Sequence, residues 1–427
     1  MKAAPVSDML PERLSVWKIC NQKRGEAVMK LVPMFFRYML LLWVVGIISA
    51  CAGQKPVPVP LTAMEFEPGM KALADNLAGQ LEKSGIGNVL NKVVGKSMKK
   101  IVIDPFIDTE SGYPVKVNPQ IKAIMASEMT KRFAVTGEME PENLEVSEYV
   151  LCGMVSLVDQ YEGERNVYKV YTAVFEKSSG VVLASAEAHI SRFETTPMDI
   201  YRDSPIYLKG QNYEEHVSSV KKKPNESVEK GYHDKLAVKS MRVKGDVLYE
   251  EKEYVKSLDY YTQASGSSGV QEMETLNGLF TNLVRQGQYD KAEPIYGKLL
   301  KLSIAETGQI ATKITFGPNS KAPVESKSAR YTIYIRQIAK LVAVSPSCRV
   351  TIIGHSSRSG LEGYNDKLSL QRAATIQKLM TSFAQDTAKR SEIIGRGFRD
   401  NLVGTGTDNL TDEIDRRVEF KFKACGQ

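Results

Sequence analysis

The sequence predicts an α+β multidomain protein with an N-terminal α/β domain, a short helical array and a C-terminal β-α-β-α-β-β domain. Three observations carry this. Between residues 70 and 193, apolar positions at helical spacing alternate with β-rich runs. Two helix-rich units then repeat, since Tyr254 and Tyr289, Ser257 and Ala292, and Tyr261 and Tyr296 are each 35 residues apart. From residue 307 to the end, strand-length and helix-length apolar segments alternate again.

The chain has 427 residues and a formal charge of +7, with 42% hydrophobic and 25% charged residues. Those figures exclude a disordered polymer and a multi-span membrane protein, and the length allows two to four domains. Residues 1–50 hold seven basic and three acidic side chains, so the rest of the chain carries +7 minus +4, or +3. Nucleic acid is not an expected partner on that charge. Five cysteines (Cys20, Cys51, Cys152, Cys348, Cys425) and four histidines never approach metal-ligand spacing, so neither a metal nor another cofactor is expected. Cys152 reads as a small buried hydrophobe.

Tyr38 to Ala50 is a run of thirteen uncharged residues preceded by Lys30 and Arg37. A bilayer core needs about twenty apolar residues, so the run fits the apolar region of a signal peptide. It closes as Ile48-Ser49-Ala50-Cys51, which resembles the bacterial lipobox. The resemblance implies that residues 1–50 are a lipoprotein signal peptide and that Cys51 is lipidated and becomes the new N-terminus. Asp8, Glu12 and Glu26 are unusual so early in a signal peptide, which points to translation from Met29 or Met34. Ala52 follows the cysteine where lipoproteins kept in the inner membrane show Asp, implying outer-membrane anchoring with a mostly periplasmic body. Acyl chains contribute about 0.8 kcal/mol per buried CH₂, so an anchor of two or three chains is effectively permanent.

Residues 51–69 read as a lipidated tether whose Lys55-Pro56-Val57-Pro58-Val59-Pro60 run favours extended backbone. Met70, Leu73, Ala74, Leu77 and Leu81 predict a helix ending near Gly85 and Gly87. Ile101–Ile103 is a strand, Ile121 to Phe133 a helix, and Val150–Val158, Val167–Phe175 and Val181–Ile190 are three further strands. This order, with Tyr149-Val150-Leu151-Cys152-Gly153 and the turn at Ser179-Gly180, resembles the periplasmic lipoprotein group of curli secretion and penicillin-binding-protein activation. The resemblance covers residues 70–193. Residues 194–235, with Lys221-Lys222-Lys223-Pro224, read as a polar linker. Residues 236–306, with their 35-residue offset, resemble a pair of tetratricopeptide repeats, which implies protein partners.

In the last 120 residues, Thr312–Phe316 is a strand candidate, and Tyr331, Tyr334, Ile335, Ile338, Leu341 and Val342 form one helix face. A second strand, Val350–Gly354, leads into Gly354-His355-Ser356-Ser357-Arg358-Ser359-Gly360. Asn365 is placed to cap the following helix, whose apolar side includes Ile376, Leu379, Met380 and Phe383. Gly395-Arg396-Gly397-Phe398 and Asp415-Arg416-Arg417-Val418 follow. The Gly-His pair, the Asn365…Leu368-Ser369…Arg372-Ala373 spacing and the late Arg-Arg-Val resemble the OmpA-like peptidoglycan-binding domain over residues 307–427. That resemblance implies that Arg372 grips the carboxylate of diaminopimelate in the peptide stem, with Ser357, Asn365 and Arg417 as further ligand-binding candidates. A planar guanidinium suits a carboxylate because it donates two parallel hydrogen bonds.

The sequence departs from that pattern at Ser357, where the family has the aspartate that meets the ligand's ammonium. A hydrogen bond to a charged group contributes roughly 1.5–3 kcal/mol, so its loss weakens binding by about one to two decades. Glu362, Asp366 or Asp415 could replace the charge, or the ligand has changed. Arg416 and Arg417 are expected to point to opposite faces by strand alternation. His355 reads as a hydrogen-bonded structural residue. If the strands next to Cys348 and Cys425 are antiparallel neighbours, the two thiols meet, and a disulfide closing that loop stabilises by roughly 4–5 kcal/mol in the chain-entropy model.

No catalytic site emerges. Gly95-Lys96-Ser97 lacks the first glycine and the preceding strand of a phosphate loop, Gly404-Thr405-Gly406 lacks a dinucleotide fingerprint, and Gly354-His355-Ser356-Ser357 is not a nucleophile elbow. The expected function is therefore binding: an outer-membrane lipoprotein that holds peptidoglycan non-covalently and scaffolds envelope proteins. The alternative is an accessory subunit of a secretion, flagellar or wall-synthesis machine with altered ligand binding.

Overall fold

In a computed structural model, the described residues are 62–84, 98–130, 132–158, 167–206, 208–267, 271–310, 312–401, 406 and 411–425. Residues 1–50 with Met29 and Met34, Cys51, the proline run, Gly85, Gly87, residues 95–97 and residues 404–405 lie outside them. Among the described residues, no helix is long and apolar enough to cross a membrane.

Helix α1 (Phe66–Lys83) buries Met70, Leu73, Leu77 and Leu81, the stripe that its spacing demands. The tether ends earlier than expected, because Met64 already exchanges backbone hydrogen bonds with His189 and Ser191 and α1 begins at Phe66. Strands β1 (Lys100–Ile103), β2 (Ile107–Asp108), β3 (Ala134–Glu138), β4 (Tyr149–Val158), β5 (Val167–Glu176) and β6 (Val182–Ser191) form one mixed sheet. Its order is β3-β1-β4-β5-β6, with β2 also pairing β4. β1 runs parallel to both β3 and β4, while β4, β5 and β6 form an antiparallel meander.

Alternate residues of β1 and β4 face opposite sides, and each side has its own core. Ile101, Ile103 and Leu151 pack with α1 and with α2 (Asn118–Met129). Val102, Val150 and Cys152 pack beneath α3 (Pro141–Val146) and the chain beyond residue 194. The segment expected to be a polar linker is thus a structural layer. It contains α4 (Asp199–Arg202), α5 (Gln211–Val220) and α6 (Lys230–Asp234), and places Val220, Val228 and Tyr232 on the sheet. Ile200, Ile206, Leu208, Val220, Val228 and Tyr232 are buried within a segment whose composition reads as polar.

Four consecutive helices follow: α7 (Leu236–Glu250), α8 (Tyr254–Ser267), α9 (Met273–Arg285) and α10 (Tyr289–Thr307). Gly308 ends α10 in the left-handed conformation, with φ at 69°. The chain then passes directly into β7 (Gln309–Ile310). The expected strand at Thr312–Phe316 is displaced to β7. Thr312, Lys313 and Phe316 make only isolated bridges to Ile206, Val418 and Pro323, because here the chain turns off the sheet edge toward the segment around Pro205.

Helix α11 (Ser328–Val344), β8 (Arg349–Gly354), α12 (Glu362–Phe383), β9 (Ser391–Gly395) and β10 (Val418–Lys423) complete the β-α-β-α-β-β order. The sheet order is β7-β10-β8-β9, with β10 antiparallel to β7 and β8, and β8 parallel to β9. Because β8 begins opposite the end of β10, Cys348 and Cys425 lie 4.4 Å apart at Cα and form a disulfide. A single hydrophobic core continues from the helical array into this domain, through Phe280, Tyr296 and Tyr334 to Ile352 and Phe420.

Candidate functional site

Two glycines set the geometry of the C-terminal site. A Cβ on Gly354 would stand 1.9 Å from the Ser369 carbonyl oxygen, and one on Gly395 would stand 2.7 Å from the Leu370 nitrogen. The ends of β8 and β9 therefore admit the α12 backbone only because both residues lack side chains. Ser369, thus seated, accepts a hydrogen bond from Gly397 N at 2.9 Å and ties the turn after β9 to α12.

Arg372 lies one turn further along α12 and is fully buried. Its Nε donates to the Ser320 carbonyl (2.9 Å), Nη1 to the His355 carbonyl (2.9 Å) and Nη2 to the Gly317 carbonyl (3.0 Å). The guanidinium also stands over the Phe316 ring, 5.1 Å from its centre. Every nitrogen of the group already holds a backbone oxygen, and a ligand carboxylate reaches it only if the Gly317–Ser320 segment or the loop after His355 yields.

Asn365 does not cap the helix. α12 begins at Glu362, and the buried Asn365 sits in its first turn, donating from Nδ2 to the carbonyls of Ser359 (2.8 Å) and Leu361 (3.2 Å). Arg372 and Asn365, two helical turns apart, thereby hold the two ends of the 355–361 loop that carries Ser357. Ser357 is buried as well. Leu361 at the end of the same loop is 82% exposed, Tyr364 in the first turn of α12 is 51% exposed, and Arg358 is exposed as well.

Arg417 flanks His355, whose backbone N–H donates to the Arg417 carbonyl at 2.9 Å. The Arg417 Nε donates to Glu419 Oε1 at 2.7 Å and its Nη2 to the Asp400 carbonyl at 3.1 Å. Arg416 takes the other direction and donates to the Phe316 carbonyl at 3.0 Å, on the side where Arg372 lies. Both residues precede β10, and their side chains take different partners. Of the substitutes for the family's aspartate, Glu362 and Asp366 are both engaged by Arg399, at 2.8 Å and 2.6 Å, and Asp415 is fully buried. The hydrogen bond from Arg399 holds the Asp366 carboxyl below its ordinary range.

His355 departs from expectation too. Its ring is buried without a hydrogen-bond partner, and Nε2 stands 3.6 Å from Glu419 Oε2, beyond hydrogen-bonding distance. Burial lowers its proton affinity, against the pull of Glu419. At Glu419, burial acts upward, but His355 and Arg417 outweigh it and bring the carboxyl down to about 2. Among the described residues, no group of three or more His, Cys, Asp or Glu is placed to hold a metal ion. The contributions of Phe316, Gly317 and Ser320 were invisible in the sequence, since two of the three act through backbone carbonyls alone.

No curated protein matches the chain. Solved structures that resemble part of it include the peptidoglycan-associated lipoprotein from Burkholderia pseudomallei, at 19% identity, covering 26% of this chain and 89% of that one, with a TM-score of 0.24. The C-terminal domain of Helicobacter pylori MotB is 20% identical and covers 27% of this chain and 85% of its own, with a TM-score of 0.23. The cell wall anchor of the T6SS from Pseudomonas aeruginosa is 21% identical and covers 27% and 80%, with a TM-score of 0.22. Residues 316–414, which contain β8, α12, β9 and all of Arg372, Ser357 and Asn365, match the OmpA family model, and the C-terminal part of this protein is an OmpA-family domain.

Proposed function

We propose that this protein binds peptidoglycan non-covalently through its C-terminal domain, without catalysis, and that a lipid on Cys51 anchors it to the outer membrane. The observation that carries the reading is the family match over residues 316–414 together with the placement of Arg372 under the Ser357 loop. In this reading the loop is held shut by its own carbonyls, and a stem-peptide carboxylate displaces one or more of them from the guanidinium. The exchange of neutral acceptors for a charged one favours the ligand, because charge-assisted hydrogen bonds are roughly twice as strong as neutral ones. Two attachments, lipid and wall, each raise the effective concentration of the other, which offsets the missing aspartate. The helices α7–α10, as a tetratricopeptide-like pair, hold an envelope protein.

The test is sedimentation of the full chain with purified sacculi, comparing the wild type with Arg372→Lys. Lysine keeps the charge but loses the fork, so retention falls while the fold persists. Equal retention of both, or retention of neither, counts against the site.

A second reading is favoured by the engagement of Glu362 and Asp366 with Arg399 and by the exposed Leu361 and Tyr364. In it, the domain docks a protein subunit of an envelope machine. Whole-cell crosslinking separates the two, since a tether yields wall peptides and a subunit yields one dominant protein.

A further inference from the structure

The sheet of the C-terminal domain ends at β9, whose outer side faces no other strand among the described residues. Arg396 N donates to the Gly354 carbonyl at 3.0 Å, and Gly354 lies opposite Gly395. In a parallel pair this commits the backbone of Glu392, Ile394 and Arg396 to β8 and turns the N–H and C=O of Ser391, Ile393 and Gly395 outward. β9 has neither a proline nor a register shift, two devices that commonly protect an edge.

The open stretch is short and bounded. At one end the Gln377 amide donates to the Ser391 carbonyl at 3.2 Å. At the other, Gly397 N donates to Ser369 Oγ at 2.9 Å and the Gly397 carbonyl accepts from Ser356 N at 2.8 Å. Ile393 and Gly395 are left between them, and both are partly exposed.

This window fits itself in one antiparallel register. With Ile393 opposite Gly395 of a second copy, the two exchange both backbone hydrogen bonds, and symmetry repeats the exchange. A shift that sets Ile393 on Ile393 brings Gly395 against Ser391, and one that sets Gly395 on Gly395 brings Ile393 against Gly397. Ser391 and Gly397 already have partners, so both shifts waste an open residue.

The side chains select the same register. Gly395 faces α12, so by alternation Glu392, Ile394 and Arg396 point to the other face of the sheet. Ile394 then meets itself on the two-fold axis, and Glu392 stands opposite Arg396 on either side of it. Glu392 is exposed and makes no ion pair among the described residues, and Arg396 reaches Asp400 at 3.4 Å with the two side chains 52% and 50% exposed. On α12, Leu370 lies about two turns before Gln377 and shares the flank above the β9 edge. It is 42% exposed, and the axis lays this flank beside its copy.

We propose that this protein forms a two-fold symmetric dimer through the edge of β9, which joins the two sheets into one, with Glu392 of each chain paired to Arg396 of the other. The occupant is a second copy because both the open backbone and the charges are complementary to themselves, as an isologous interface requires. The antiparallel arrangement sets the two Arg372 clusters at opposite ends of the joined sheet, and the dimer does not depend on what binds there.

Sedimentation equilibrium of the full chain in density-matched detergent tests this. The wild type is expected to show a reversible monomer–dimer equilibrium. Glu392→Arg and Arg396→Glu each weaken it by about tenfold or more, since each sets like charges opposite one another at both pairs. The double variant Glu392→Arg/Arg396→Glu restores association to within about threefold of the wild type. Under mild oxidation Ile394→Cys links two chains through its position on the axis, and Lys421→Cys, on the interior strand β10, does not. Should a charge variant fail to fold by circular dichroism, the Ile394→Cys crosslink decides. A wild type that stays monomeric at every concentration overturns the proposal, as do single charge reversals that associate like the wild type, a double variant as weak as either single, or Ile394→Cys crosslinking no more than Lys421→Cys.

Discussion

Arg372 Nη1 donates to the carbonyl of His355 at 2.9 Å, so the guanidinium expected to seize a wall peptide instead fastens the loop that carries Ser357. The arrangement gives Arg372 a structural duty besides any ligand contact. Replacing it with alanine strands the carbonyls of Gly317, Ser320 and His355 and leaves a large void. A buried acceptor left without its donor costs roughly 1–3 kcal/mol, measurable as a lower urea midpoint. An Arg372→Ala protein as stable as the wild type contradicts the clamp.

The Cys348–Cys425 bond closes a loop with a sequence separation of 77. Loss of loop-closure entropy in the unfolded chain gives roughly 4–5 kcal/mol in the chain-entropy model. Thermal unfolding with and without reductant is expected to show a drop in midpoint on reduction, and the Cys348→Ala/Cys425→Ala protein is expected to show none. Unchanged unfolding of the wild type in reductant speaks against a structural role.

Gly354→Ala drives a methyl into the Ser369 carbonyl, a backbone atom that cannot swing aside. Overpacking of this kind costs about 1–3 kcal/mol, and more where the backbone must move. The same change pushes α12 from β8, so retention on sacculi falls together with stability. A substitution that leaves both unchanged would show that the helix does not depend on this approach.

His216 supplies an acid limb to stability. Burial, and then the charge of Lys239, lower its pKa from 6.5 to about 4, against the pull of Asp104. The unfolded chain therefore takes up a proton below pH 6.5 that the folded chain refuses until about pH 4. Its contribution is present above pH 6.5 and is lost as the pH falls through that window. The full shift corresponds to roughly 3 kcal/mol. His216→Gln keeps a donor for the Gly153 carbonyl and removes the titration, so its urea midpoint is expected to fall less than that of the wild type between pH 7 and pH 4.5. Parallel curves for the two proteins would refute the assignment.

Much of this fold was legible from side-chain pattern. Met70 to Leu81, the β4–β6 meander and the alternation from Tyr331 to Phe420 each announce their element by apolar period. Residues 194–235 read as a linker because scattered apolar residues, Val220, Val228 and Tyr232 among them, cover the sheet from within a polar composition. At the C-terminal site, the identity of Arg372 was readable but its burial was not. That burial depends on the carbonyls of Gly317, Ser320 and His355, and a backbone oxygen has no signature in sequence.

The central claim is that the OmpA-family domain of this protein holds a diaminopimelate stem peptide at Arg372 without the usual aspartate. Titration of the full chain with stem peptides that contain or lack diaminopimelate measures it directly, for the wild type and for Ser357→Asp. The account predicts selective binding of the diaminopimelate peptide by the wild type and a gain of about ten- to a hundredfold on restoring the carboxylate. Absence of binding to either peptide by both proteins would contradict it.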